Sequence, residues 1–147
     1  MSAIENSVDF GGLDWRRVPA DQLGAIWPQI EPIVARGLRH GQGDGTTTEH
    51  MRARLLLGDS RVWVAYHGDE LLGGCIWSLR ETDTGAKIWV DMLFGHELEV
   101  WLPSLMDIGK YVQEQTGARC IEGSCRIGLS RVLKRHGWKP KAVVMEF

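Results

Sequence analysis

Residues 60–80 read SRVWVAYHGDELLGGCIWSLR. Two β-branched and aromatic runs are joined at His67, Gly68 and Asp69, the signature of a β-hairpin. A second turn at Thr84 and Gly85 leads into residues 86–94, AKIWVDMLF. These strands are apolar at almost every position instead of alternating, the pattern of a sheet covered by helices on both faces. The expectation is a three-layer or wrapped α/β arrangement.

Downstream the period becomes helical. Leu98, Trp101, Leu102, Leu105, Ile108 and Val112 form one stripe, and Gly117 is placed to end it. A strand is expected over residues 119–125, a helix from Gly128 to His136 with Leu129, Val132 and Leu133 inward, and a last strand over residues 141–147, KAVVMEF. Upstream, Thr46 and Glu49 stand in capping-box spacing before Met51, Leu55 and Leu56, with Gly58 as the stop. The preceding RHGQGDGTTT reads as a mobile loop. Asp21 is placed to cap an earlier helix carrying Leu23, Ile26, Trp27, Ile30, Ile33 and Val34, which Pro28 and Pro32 are expected to kink or divide. Leu13–Val18 suits a short strand closed by Pro19, and the first ten residues suit a loose tail or an edge contact. The order is strand, two helices, three strands, helix, strand, helix, strand: a tail over residues 1–12 and one domain over 13–147.

The length of 147 residues, with 44% hydrophobic and 24% charged content, fits one core. No run of eighteen apolar residues occurs, and MSAIENSVDF lacks a signal-peptide pattern. A soluble, unsecreted chain without a membrane partner is expected. A net charge of -2 gives no general attraction to nucleic acid. Cys75, Cys120 and Cys125 form no metal pair, the five histidines lack ligand spacing, and no metal is expected. The cysteines read as small buried hydrophobes. Of the seven tryptophans, Trp63, Trp77, Trp89 and Trp101 lie in apolar segments and read as core and interface packing.

The element order resembles the GNAT N-acetyltransferases over nearly the whole chain after residue 12. The hairpin VWVAYHGDELLGGCIW, with Gly73 and Gly74 after its turn, and the segment SRVLKRHGWKP, with Gly137 and Trp138, are similar to that family's strands and penultimate helix. The resemblance implies an α/β (α+β) fold with a mixed central sheet and helices on both faces. It also implies an acyl-CoA-dependent N-acyltransferase with acetyl-CoA as cofactor and an amine acceptor. Backbone groups at Met92, Leu93, Phe94, Gly95 and His96 would hold the cofactor, and Asp91 would act as base or steer the amine.

The chain departs from the family at the junction after the third middle strand. Where such enzymes carry Q/R-x-x-G-x-G/A, so that glycines and a helix N-terminus approach a diphosphate, this chain has MLFGHELEVWLPS, with Gly95 alone. Glu97 and Glu99 fall where phosphates would lie. A carboxylate about 6 Å from a phosphate charge costs on the order of 3 kcal/mol at an effective dielectric of about 20. Acidic residues in a first helical turn also stabilise the helix by about 0.3–1 kcal/mol each, so both glutamates have an explanation without a ligand. Leu133 stands where many members carry a proton-donating tyrosine. Asp91 has a bland alternative too, as a hydrogen-bonded strand aspartate.

The altered loop leaves a second reading open: a non-catalytic structural or interaction protein that keeps the fold, self-assembles or binds a protein partner, and resembles degenerate GNAT-like domains among tailed-phage virion proteins. Localisation is accordingly cytoplasmic, or virion-associated if phage-encoded. Arg126, Arg131, Lys134, Arg135, Lys139 and Lys141 form a basic C-terminal region, for which a solvated face is the commoner reading and nucleic acid the lesser. Gly41, Gly43 and Gly45 lack Walker spacing; in GNAT-like folds their loop borders the acceptor site.

Overall fold

The computed structural model describes residues 7–39, 45–143, 145 and 147. Its elements are β1 (Ser7–Phe10), β2 (Leu13–Arg17), α1 (Leu23–Arg39), α2 (Thr48–Leu57), β3 (Arg61–His67), β4 (Glu70–Thr82), β5 (Gly85–Gly95), α3 (Leu98–Thr116), β6 (Ile121–Gly123) and α4 (Ile127–Arg135). The strands form one sheet in the order β1-β2-β3-β4-β5-β6. Every pair is antiparallel except the last, where β6 runs parallel to β5.

The mixed sheet is covered on both faces, as the near-continuous apolar strands require. One face holds Trp15, Trp63, Trp77 and Ile88 against Trp101, Leu102, Leu105, Ile108 and Val112 of α3. The other holds Val62, Val64, Ile76 and Phe94 against Leu23, Trp27, Ile30 and Val34 of α1 and Met51 and Leu55 of α2. α3 stops at Gly117, whose φ of 70° a side chain would resist.

Several local expectations need correction. Of the two expectations for the first ten residues, Ser7–Phe10 takes the edge contact, pairing with β2 as an edge strand. Pro28 and Pro32 do not divide α1, which continues from Leu23 to Arg39. Both prolines are exposed, so the carbonyls they leave unpaired can bond water while the apolar stripe holds the helix down. Asp21 lies inside a 3-10 turn over Ala20–Gln22 and is not the cap. The cap of α2 is Thr47, one residue after Thr46, accepting a hydrogen bond from the His50 N–H. The expected strand over 119–125 shrinks to Ile121–Gly123. Residues 141–143, 145 and 147 form no strand, while 144 and 146 lie outside the described residues. Gly41 and Gly43 of the expected mobile loop also lie outside them. No helix among the described residues is long and apolar enough to cross a membrane.

Candidate active site

The site begins with a mismatch between β4 and β5. Ile76 faces Met92 and Trp77 faces Val90, so Asp91 is an extra, unpaired residue. Such a bulge re-aims side chains. Here it sends both Asp91 and Met92 toward the α1/α2 layer: Met92 Cε approaches Gly37 so closely that a Cβ there would stand 2.2 Å away, and Asp91 reaches Arg54 and Ser60. At the same level the parallel pairing ends. Val90 opposite Gly123 is its last step, after which β5 continues to Gly95 while the chain leaves β6 for α4. Among the described residues, the outer edge of β5 from Asp91 onward is therefore without a neighbouring strand.

Two clefts open there. The first, of about 470 Å³, is lined by β5 from Asp91 to Gly95, by His96, Glu97 and Leu98, by Arg36 and Gly37 of α1, and by Cys125, Arg126 and Leu129. The second, of about 250 Å³, is lined by Thr46, Met51, Arg54, Arg80 and Trp89. Asp91, Leu38 and Ser124 border both.

The Asp91 side chain is 7% exposed, and Arg54 Nη2 lies 3.5 Å from its Oδ1. Ser60 Oγ donates to Oδ2 at 3.3 Å. Burial pushes the Asp91 carboxyl above the usual carboxylate range, opposed by Arg54 and then by Ser78, Arg80 and Ser60. Ser78 Oγ is itself buried without a bonded partner, so it acts on Asp91 from outside hydrogen-bond geometry. Burial also pushes the Cys75 thiol up to about 12 and raises that of Cys125 in the first cleft. Both are protonated thiols at neutral pH and poor nucleophiles. Cys120 and Cys125 are only half-buried, unlike the expectation.

The junction between β5 and α3 is rigid. Gly95 has φ 138°, and a Cβ there would meet Leu72 O at 2.4 Å. The His96 N–H donates to Leu72 O at 3.0 Å, and His96 O accepts from Trp101 Nε1 at 3.0 Å. Glu97 then adopts the left-handed conformation, φ 52°, without capping α3 through its side chain. In the first turn of α3 the Val100 N–H donates to Glu97 O at 2.8 Å, while the N–H groups of Leu98 and Glu99, at the end of the helix that borders the first cleft, have no intrahelical partner. Glu99 sits 3.8 Å from Arg135, both exposed. Glu70, His96 and Glu97 bring ligating atoms within 4.8 Å of one another, but all three are exposed.

All six site residues anticipated from the sequence line the first cleft. Their contributions differ: Phe94 is buried in the core beneath α1, leaving its backbone edge to the cleft, and the His96 N–H is already used. Sequence reasoning missed Arg36, Arg54, Ser60, Arg80 and Trp89. Trp89 is half-buried, not core like Trp63, Trp77 and Trp101. The available signal was phase: Ser78, Arg80, Lys87 and Asp91 are the polar interruptions of otherwise apolar strands.

No protein-family model and no curated protein matches the sequence. Solved structures do match. A ribosomal-protein-alanine N-acetyltransferase from Brucella melitensis biovar Abortus 2308 superposes with a TM-score of 0.70 at 14% identity, over 92% of this chain and 99% of that one. An aminoglycoside acetyltransferase from an uncultured soil metagenomic sample, in complex with sisomicin, gives 0.67 at 13% identity over 92% and 95%. A predicted acetyltransferase from Clostridium acetobutylicum, solved with acetyl-CoA, gives 0.66 at 12% identity over 92% and 95%. The chain has the fold of the GNAT acetyltransferases.

Proposed function

We propose that this chain is an N-acyltransferase that uses an acyl-CoA thioester and an amine acceptor. The observation that carries the reading is the position of Asp91: one buried carboxylate borders both clefts, at the point where β5 and β6 part. The chemistry of the first cleft fits a CoA ester. The open edge of β5 at Met92–Phe94 offers backbone groups to a pantetheine arm. The first turn of α3 offers N–H groups to phosphates, with Arg36 and Arg126 lining the same cleft against Glu97 and Glu99. Acyl-CoA would supply an acyl group activated as a thioester.

The protein's own contribution centres on the acceptor. Asp91 takes the proton of an amine held in the second cleft. Its raised pKa makes it a better base than an ordinary carboxylate, while Arg54 and Ser60 fix its orientation. Leu133 is packed in the core and supplies no proton.

Calorimetric titration with acetyl-CoA, beside free CoA, tests the reading. Micromolar binding is expected, with Asp91→Asn lowering turnover on an amine about 10²- to 10⁴-fold. Absence of heat up to about millimolar ligand, a binding energy near 4 kcal/mol, would overturn it.

A further inference from the structure

The second cleft carries more positive than negative charge. Arg54 and Arg80 line it against the single carboxylate of Asp91. Arg54 is engaged with that carboxylate at 3.5 Å. Arg80 has no carboxylate within ion-pair distance among the described residues, and its guanidinium carbon lies over the ring of Trp89, 4.3 Å from the centroid. Lys87 Nζ approaches the same ring at 5.7 Å. The register explains the cluster. Ser78 pairs with Trp89 and Arg80 with Lys87, so all four share the face on which the bulge places Asp91.

A guanidinium stacked on an indole keeps its N–H edge free in the ring plane, the geometry that grips a carboxylate with two parallel hydrogen bonds. Stacking also orders the side chain beforehand, so less rotamer freedom is lost on binding. Arg54 is paired with Asp91 and Lys87 with Glu122 at 3.5 Å, which leaves Arg80 as the cation that a polycationic acceptor would meet without an offsetting carboxylate among the described residues, and like charges repel. The volume of about 250 Å³ lies below the about 300–1,000 Å³ of drug-sized sites, which suits a molecule of amino-acid size.

We infer that the acceptor is a small primary amine bearing a carboxylate, with its amine toward Asp91 and its carboxylate on Arg80 beside Trp89. The inference rests on the acyltransferase reading for the direction of the amine, but carboxylate capture by Arg80 stands without a cofactor. Sisomicin, found with one structural neighbour, is of the opposite charge type.

Two measurements test it. In ¹⁵N-labelled protein without CoA, the Arg80 Nε–Hε resonance, assigned with Arg80→Gln, is followed while the twenty L-amino acids are added singly. Phenethylamine, tyramine, spermidine and sisomicin are added in parallel. At least one amino acid is expected to shift the resonance and none of the four amines to do so; no response to any amino acid overturns the inference. With acetyl-CoA present, the best amino acid should be acylated in preference to its decarboxylated counterpart. Arg80→Gln should raise its KM about tenfold to a hundredfold, the loss of a charge-assisted pair, and compress the preference. Equal or faster acylation of the decarboxylated amine would refute the carboxylate requirement while leaving the transferase reading intact. An Arg80 response with no CoA binding would do the reverse.

Discussion

Trp101 ties the altered loop to the core, and replacing it should separate stability from ligand binding. Its side chain is fully buried and packs edge-on against Trp15 at 6.0 Å, while its Nε1 holds the His96 carbonyl at 3.0 Å. Trp101→Phe removes that bond, about 1 kcal/mol net, and leaves a gap costing about 1–2 kcal/mol more. At about 2–4 °C per kcal/mol for a chain of this size, the melting temperature should fall by about 5–10 °C. Trp15→Phe is the matched control. It is equally buried and loses its own 2.8 Å bond to Ser104 Oγ, but Ser104 still donates to Trp101 O at 2.7 Å, and no loop is released. Both variants should therefore lose similar stability. Only Trp101→Phe should weaken CoA binding, by about fivefold for each 1 kcal/mol of loop ordering lost. Thermal unfolding and calorimetry on the two proteins decide the matter; equal CoA affinity in both would show that the Trp101–His96 bond does not organise the loop.

Three further outcomes can be checked by unfolding alone. Because the folded pKa of Asp91 is raised, its contribution to stability is complete below the ordinary carboxylate value of about 3.9 and is lost as pH rises through the folded value. Asp91→Asn should thus melt no lower than the parent at pH 7 even as turnover falls; a marked drop in melting temperature would mark Asp91 as structural. Gly74→Ala would place a Cβ 2.3 Å from Trp63 O and 2.7 Å from Phe94 Cζ, costing about 3 kcal/mol, whereas Gly128→Ala, with nothing within 4 Å, should be neutral or stabilise by about 0.4–1 kcal/mol. Glu122 accepts from Lys141 Nζ at 2.6 Å, which pulls its pKa from an ordinary 4.5 to about 2. The stability this brings is present above pH 4.5 and drains away toward pH 2. In Lys141→Met the melting temperature should vary less across that window, and an unaltered pH profile would dissociate Lys141 from it.

The parts of the fold legible in the sequence were those set by periodicity and by turn residues. The apolar runs around Gly68 and Gly85 became β3, β4 and β5, and the stripe from Leu98 to Val112 became α3. Failures occurred where a local rule was outweighed by packing. Pro28 and Pro32 read as breaks, yet Trp27, Ile30 and Val34 bury the opposite face and hold α1 together. Trp89 read as core because its neighbours in sequence are apolar, while a bulge two residues later and a strand ending at Gly123 leave it beside a cleft. A bulge is one residue of mismatch between two strands, and neither strand's sequence carries it alone. Asp91 could be picked out as a carboxylate in an apolar strand; Arg54 and Ser60 reach it from α2 and from the residue just before β3, which only the tertiary fold brings together.

The glutamates after Gly95 gain a physical context from the same geometry. A glycine-rich loop offers flexible N–H groups to a diphosphate, but here the His96 N–H is bonded to Leu72 O and the His96 carbonyl to Trp101. That leaves the first turn of α3 and the side chains of Arg36 and Arg126 as the positive groups at the first cleft. Helix-end charge effects and exposed ion pairs are each small and screened by salt, so Glu97 and Glu99 weaken such a site without abolishing it. The second cleft is biased in the same direction, since Arg54 and Arg80 outnumber Asp91. On the acyltransferase reading proposed above, a molecule spanning the two clefts would meet arginines at both ends and one buried carboxylate between them, an arrangement that would favour acidic groups on both partners and leave Asp91 to the amine.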